Sequence, residues 1–522
     1  MLKKISAFFK KYRIEIIALL TISVLYFASR FILITKPLVY SDEAEYIHFA
    51  QVALANPYNW LVSLQDGRQP LFIWAICFFL KFIKDPLLAG RIVSVFTGFI
   101  TITGLGILSQ VLFKKKNLSI LTMALYLVFP FAIVYDRMAL LDSMVAAIVI
   151  WILITSIALA RSLRIDVAYT LGMLAGTAII TKSSALLGFY LIPLSLIFFD
   201  FKKNKRVLRF LKWVFCVLIV YSVSQIFSLI TVLDPNYQIV LSANAIFIYP
   251  LKTFIHLPIA FIINNFIKNE IILLGFIIEY LKLPYIILII MSLLFIKKSF
   301  KEKVFLFSYF IFPVSIYSLF GKGQFFAPRH VFFASLTLLV LSAWTLNYFF
   351  EFAKKHFKKS TLKYYLTIAI ISFLFLSYSS YASLTFIFTP QTSLIASWDK
   401  TSYTDRVIAW GFNESINFFK AQAKNQKIFI AANGWQGTLP DALEIYLIGN
   451  KNIEVQRYKN SNFVHEDVYL HQKTTKTYFV SFRGKDENFP KKYNLKLISS
   501  TKMGTSNTYY KVYEVMGQEL TD

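Results

Sequence analysis

Apolar residues in this chain come in long runs separated by short polar stretches. A helix that crosses the hydrocarbon layer of a bilayer needs about 20 predominantly apolar residues. Eleven stretches approach that length: 14–35, 87–113, 118–135, 139–160, 166–182, 184–200, 207–233, 271–296, 304–320, 328–350 and 362–388. The neighbours 166–182 and 184–200 are together too long for one helix, and each is short for a full span. Two further stretches, 42–55 and 70–84, predict helices lying in the interface, the second carrying Trp74 and Lys81. From about residue 390 the pattern changes: charges become frequent and apolar runs shorten. There Lys427–Ala431, Ile453–Arg457, Tyr478–Phe482, Asn494–Ser499 and Tyr509–Val515 read as strands and Asp441–Leu447 as a helix. The predicted fold class is an α-helical polytopic membrane protein with about eleven transmembrane helices. Its membrane domain covers 1–389, with a first outer loop over 36–86, and a small α/β domain occupies 390–522.

Composition agrees with that pattern. Of the 522 residues 57% are hydrophobic and only 16% charged, against about 25% charged in an ordinary soluble domain. The net charge of +27 does not point to nucleic acid, because the cations cluster between the apolar runs, as they do in cytoplasmic loops. Those clusters are Lys3, Lys4, Lys10, Lys11 and Arg13 at the N-terminus, then Lys114–Lys116, Arg161 with Arg164, Lys202 to Arg209, Lys297 to Lys303, and Lys354 to Lys359. With the N-terminus inside, counting crossings puts every cluster on the cytoplasmic face of a plasma membrane, and the C-terminal domain outside it. Cys77 and Cys216 both sit in apolar stretches, so no disulfide framework is expected. Ile14 to Ile34 is long enough to span and reads as a membrane helix, not a cleaved leader.

Ionisable residues then gather on the outer side. Ser41-Asp42-Glu43-Ala44-Glu45-Tyr46 puts three carboxylates just after the first span. Ser41 can cap a helix whose dipole favours acids in its first turn, and one of the same carboxylates can serve as a general base. Asp136-Arg137 is either a polar turn closed by an ion pair or part of a site. Asp142 falls one turn inside a span, where an ionised group is costly unless it faces a polar cavity. Lys182 and Arg329 lie at span ends, where such side chains can simply snorkel to headgroups. With Arg68 they form the cation set that suits a lipid phosphate. His48, His256 and His330 have no metal-ligand spacing, and His465 and His471 read as solvated surface. No cofactor is identified, and a divalent metal is left open.

These motifs, in this order, resemble the GT-C glycosyltransferases, in particular the protein O-mannosyltransferases and the lipid A aminoarabinose transferases. Asp42-Glu43 followed by Tyr46 resembles their acidic first-loop motif. Arg137-Met-Ala-Leu-Leu-Asp142-Ser143 resembles an Arg-x-x-x-Leu-Asp-Ser stretch of the mannosyltransferases. Gly67-Arg68-Gln69-Pro70-Leu71-Phe72-Ile73-Trp74 resembles a Lys-Pro-Pro-Leu-x-x-Trp stretch, with Arg68 for lysine and Gln69 for the first proline. Pro328-Arg329-His330 resembles a late Pro-Arg-Tyr entry to a span. Glu45 stands where the aminoarabinose transferases carry a basic residue, which argues against that exact substrate.

The resemblance covers roughly residues 10–350 and implies an inverting transfer from a polyprenyl-phosphate sugar to an acceptor hydroxyl on the extracytoplasmic face. It makes Asp42, Glu43 and Asp142 the catalytic set, with Asp42 as base. Arg68, Lys182 and Arg329 become the donor-phosphate set, supported by Tyr46, Asp136, Arg137 and His330. The implied partners are the lipid-linked sugar, membrane lipids and an acceptor protein, lipid or envelope glycan, with no nucleic acid. A lipid-linked glycan polymerase or ligase fits the same motifs. A transporter or flippase predicts functional charges at mid-span and internal repeats, whereas the candidate groups here stand at span ends and no repeat is visible.

Overall fold

A computed structural model of the chain describes residues 10–37, 39–202, 204–295, 297–357, 362–405, 412–434, 437–459, 462–487, 489–503 and 506–517. Lys3, Lys4, Lys203, Lys358 and Lys359 of the basic clusters lie outside them. Two compact units emerge. The first comprises Met1–Ile32, Trp60–Trp74 and Arg91–Ala396, and the second Leu33–Asn59, Ala75–Gly90 and Ser397–Asp522.

Helices dominate the first unit. Helix α1 (Arg13–Phe31) comes first. The second unit's α2 (Ser41–Ala55) follows, and α3 (Leu71–Leu80) and α4 (Pro86–Phe113) then each run from one unit into the other. After them come α5 (Lys116–Val128), α6 (Pro130–Arg137), α7 (Leu141–Ser162) and α8 (Ile165–Ile179). The bundle continues with α9 (Arg206–Val232), α10 (Tyr237–Phe247), α11 (Ile259–Ile290), α12 (Phe300–Phe320), α13 (Arg329–His356) and α14 (Leu362–Phe388).

Among the described residues eight helices are long and apolar enough to cross a membrane, and nine if α5 and α6 count as one broken span. The eleven apolar stretches of the sequence correspond to these nine, to α8, and to the short apolar element Ser183–Phe198. The chain is a multi-pass membrane protein. Helices α7 and α13 form the centre of the first unit: 94% of the most apolar window of α13 is buried, against 17% for α1.

The break between α5 and α6, a bend of 65°, has a local cause. Pro130 forces the residue before it out of the helical region, and Phe129 is extended at φ −73°, ψ 118°. A proline that starts a helix loses no hydrogen bond, so α6 restarts at once and carries Asp136 and Arg137 inward, with all eight of its residues buried.

The second unit holds α2 and the C-terminal α/β domain. Its sheet has the order β2-β1-β3-β5-β4, with β1 (Ile428–Asn433), β2 (Ile453–Tyr458), β3 (Lys476–Gly484), β4 (Leu495–Lys502) and β5 (Thr508–Val515). Strand β1 runs parallel to β2 and β3, and β5 pairs antiparallel with β3 and β4. The parallel pairs need crossovers, supplied by α16 (Asp441–Leu447) and α17 (Glu466–Gln472). Phe429, Phe479 and Tyr513 fill the face under α17. Tyr478 and Tyr510 face the other way, against Phe419 and Phe412 of α15 (Phe412–Gln422). His471, expected on a solvated surface, instead stacks on Phe429 with ring centroids 3.8 Å apart.

Candidate active site

Helix α7 starts at Leu141, so Asp142 lies in its first turn, where a carboxylate suits the helix dipole. It is 4% exposed and accepts a hydrogen bond from Lys182 Nζ at 2.7 Å. Lys182 comes from the irregular joint after α8, where Thr181 and Lys182 still bond back to Ala178. The same joint receives the first-loop segment, since Leu71 N–H donates to Ile180 O at 3.0 Å, bringing Gly67–Pro70 to the chain that carries Lys182. The Tyr317 ring sits 5.8 Å from that of His330, whose Nδ1 accepts the Ala327 N–H at 3.0 Å and fixes the entry to α13 next to Arg329. Within the first unit the chain thus joins Asp142 to Lys182 directly, and Tyr317 packs beside His330. Arg68 forms a 3.5 Å ion pair with Asp66.

The pairing of Asp136 differs from the expected turn with Arg137. The Asp136 carboxylate is fully buried and accepts from Arg30 Nε (3.3 Å), Tyr26 (3.2 Å), Tyr126 (3.0 Å) and Ser143 (3.0 Å). Arg137 caps α1 instead, donating to the carbonyls of Ser29 (2.7 Å), Arg30 (2.9 Å) and Ile32 (2.8 Å). The last carbonyls of a helix have no partner within it, and a buried guanidinium supplies donors in the right fan. The sequence did hold a signal for Arg30, because a cation inside a spanning run implies a buried partner. Arg137→Met is expected to destabilise the fold by on the order of 3 kcal/mol, since buried carbonyls lose their donors. A thermal melt of the purified protein checks this.

In the second unit Tyr40, not Ser41, caps α2. The Glu43 carboxylate reaches back to the Tyr40 N–H at 2.9 Å, the acid half of a capping box. Asp42 precedes it at 8% exposure, and Glu45 and Tyr46 are also buried. One turn further, His48 faces α16, its Nδ1 lying 3.4 Å from Glu444 Oε2. Burial, then the nearby Arg457, push the imidazole down to about 4, so it is neutral near pH 7 and this contact is no ion pair.

His48, Asp441 and Glu444 offer donor atoms within 4.8 Å of one another, a geometry that a metal ion can use. Arg457 already bridges both acids, with Nη2 2.8 Å from Asp441 and also bonded to Glu444. A cluster whose cation is a guanidinium does not fit a resident metal.

No protein-family model and no curated protein matches this chain. Solved structures do match. ArnT from Cupriavidus metallidurans in its apo state is similar over 96% of this chain and 97% of its own, with a TM-score of 0.57 at 12% identity. ArnT bound to undecaprenyl phosphate gives 97% and 98%, a TM-score of 0.58 and 11% identity. The chain has the GT-C fold of these structures.

Proposed function

We propose that this GT-C-fold protein transfers a sugar from a polyprenyl-phosphate donor to an acceptor hydroxyl on the extracytoplasmic side of the membrane. The observation that carries the reading is the Lys182–Asp142 pair, an ammonium held by a buried carboxylate at the head of α7. It occurs in a fold shared with a protein solved with undecaprenyl phosphate bound. Asp42 takes the proton of the acceptor hydroxyl, and the oxygen attacks the anomeric carbon from the face opposite the lipid phosphate. The carbon–phosphate oxygen bond breaks, and the phosphate leaves with the electron pair, inverting the centre. A phosphate is already a good leaving group, so cations that match its growing charge replace a general acid. Lys182, Arg68 and Arg329 supply that charge, and Asp142 fixes Lys182 in place. Glu43, Tyr46, Asp136, Arg137 and His330 support the elements that carry the reacting groups.

Direct binding of undecaprenyl phosphate to the purified protein tests the donor half of the reading. Saturable binding is expected in wild type, weakened about ten- to hundredfold by Arg329→Gln, the scale of one charge-assisted contact. Binding that is absent, or indifferent to Arg329, overturns it.

The orientation has its own test. Thr474 of the α/β domain and Asn204 before α9 are both exposed and serve as label sites. The native Cys77 and Cys216 are buried and give little background. Thr474→Cys is expected to react with an impermeant thiol reagent on intact cells and Asn204→Cys is not. The reverse result inverts the topology.

A further inference from the structure

We propose that the C-terminal α/β domain is the positioning element for α2, setting the first turn that carries Asp42 through a relay from Arg457 to Asp441, Gly437 and Ser41. The inference rests on the reading of Asp42 as the base and gives the α/β domain a part in the same reaction.

The relay is continuous within the second unit. Arg457, on β2, holds the Asp441 Oδ1 at 2.8 Å and bonds Glu444 one turn along α16. The other oxygen of Asp441 accepts the Gly437 N–H at 2.5 Å. Gly437 has φ +84°, a left-handed conformation that favours glycine. A Cβ there meets the Ser41 hydroxyl oxygen and lies 3.5 Å from Glu45 Oε1. The glycine backbone is therefore packed against the residue that precedes Asp42.

Two more contacts fix the rest of the helix. Gln51 Nε2 donates to Ile445 O at 2.9 Å, and Cys77 of α3 lies 3.2 Å from Ala50 O. The Tyr40 ring, at the cap, meets Tyr403 edge-on at 4.8 Å. Apolar burial alone holds a helix against a surface but tolerates sliding along it. Directional bonds at Gln51 and a close steric stop at Ser41 define both its rotation and its axial position. The neutral His48 sits between these two points, against Glu444.

A base displaced by about 1 Å loses on the order of a hundredfold in rate. Gly437→Ala, Gln51→Leu and Arg457→Met are each expected to lower kcat about 10- to 100-fold with the KM for the lipid-linked donor unchanged. The amides of the first turn of α2 are expected to exchange hydrogen faster in each variant. Arg457→Lys, which keeps the charge but not the two-acid bridge, is expected to recover part of kcat. Arg457→Met risks misfolding, so Gln51→Leu, which removes one bond at a half-buried site, keeps the test open: its melting temperature is expected to stay near wild type while kcat falls.

Wild-type kcat and exchange in a folded Gln51→Leu and Gly437→Ala overturn the relay. Asp42→Asn, measured alongside, separates the two readings. If it is inactive and the relay variants are fully active, the relay fails and the base stands. If it is fully active, the base fails, and the exchange data alone decide whether the domain positions α2.

Discussion

Replacing Asp42 by asparagine is expected to reduce sugar transfer by 10²–10⁴-fold, the range for loss of a general base. The substitution keeps the size and a hydrogen-bonding oxygen and removes only the basicity. Donor binding is expected to change little, because the lost group acts on the acceptor. Glu43 is the internal control. Its carboxylate is committed to the Tyr40 N–H at 2.9 Å and is fully buried. Glu43→Gln retains an acceptor for that bond and is expected to cost little activity, whereas Glu43→Ala loses the cap and about 1 kcal/mol of stability. Turnover at matched membrane abundance and saturating donor makes the comparison. Equal activity in wild type and Asp42→Asn removes Asp42 as the base, and a dead Glu43→Gln beside an active Asp42→Asn moves the role by one residue.

Lys182→Met is expected to produce two separable losses. One is stability, because Asp142 is 4% exposed and loses the ammonium that offsets its charge. Removing one partner of a buried pair costs about 3–5 kcal/mol. The other is donor affinity, about ten- to hundredfold for one charge-assisted contact to phosphate. The double substitution Asp142→Leu with Lys182→Met is expected to recover most of the stability, since no buried charge is left unpaired. It is not expected to recover donor binding. Thermal melts and undecaprenyl phosphate titrations on the three proteins resolve the two effects. Donor binding undiminished in Lys182→Met reduces the pair to a structural contact. Asp142→Asn leaves an acceptor for Lys182 and is expected to be milder than Lys182→Met.

The sequence by itself determined the spans and the strands, while α10, α15 and α17 went unread. Each of the eleven apolar runs became a buried or lipid-length helix, a broken span or a short apolar element, because helix length and hydropathy are local properties that a bilayer reads directly. The strands of the α/β domain were equally legible, since alternation and turn residues are local too. The sequence also marked Asp142 and Lys182 as polar groups at the ends of spans.

Only the tertiary structure decided their partners. Asp136 has Arg137 beside it in the chain yet pairs with Arg30, 106 residues away. The bend at Pro130 carries α6 to the end of α1, where Arg137 meets open carbonyls. Asp142 and Lys182 are 40 residues apart and meet because α7 packs on α8. Helix α2 was readable as a helix with acids in its first turn. Its attachment to Asp441, Glu444 and Arg457 was not, because Gln51 and Ile445 stand 394 residues apart. Hydropathy fixes which segments leave water and says nothing about which neighbours they meet. A buried charge or helix end must find its partner in space, and the packing of helices around α7 and α13, and of α2 against α16, selects that partner.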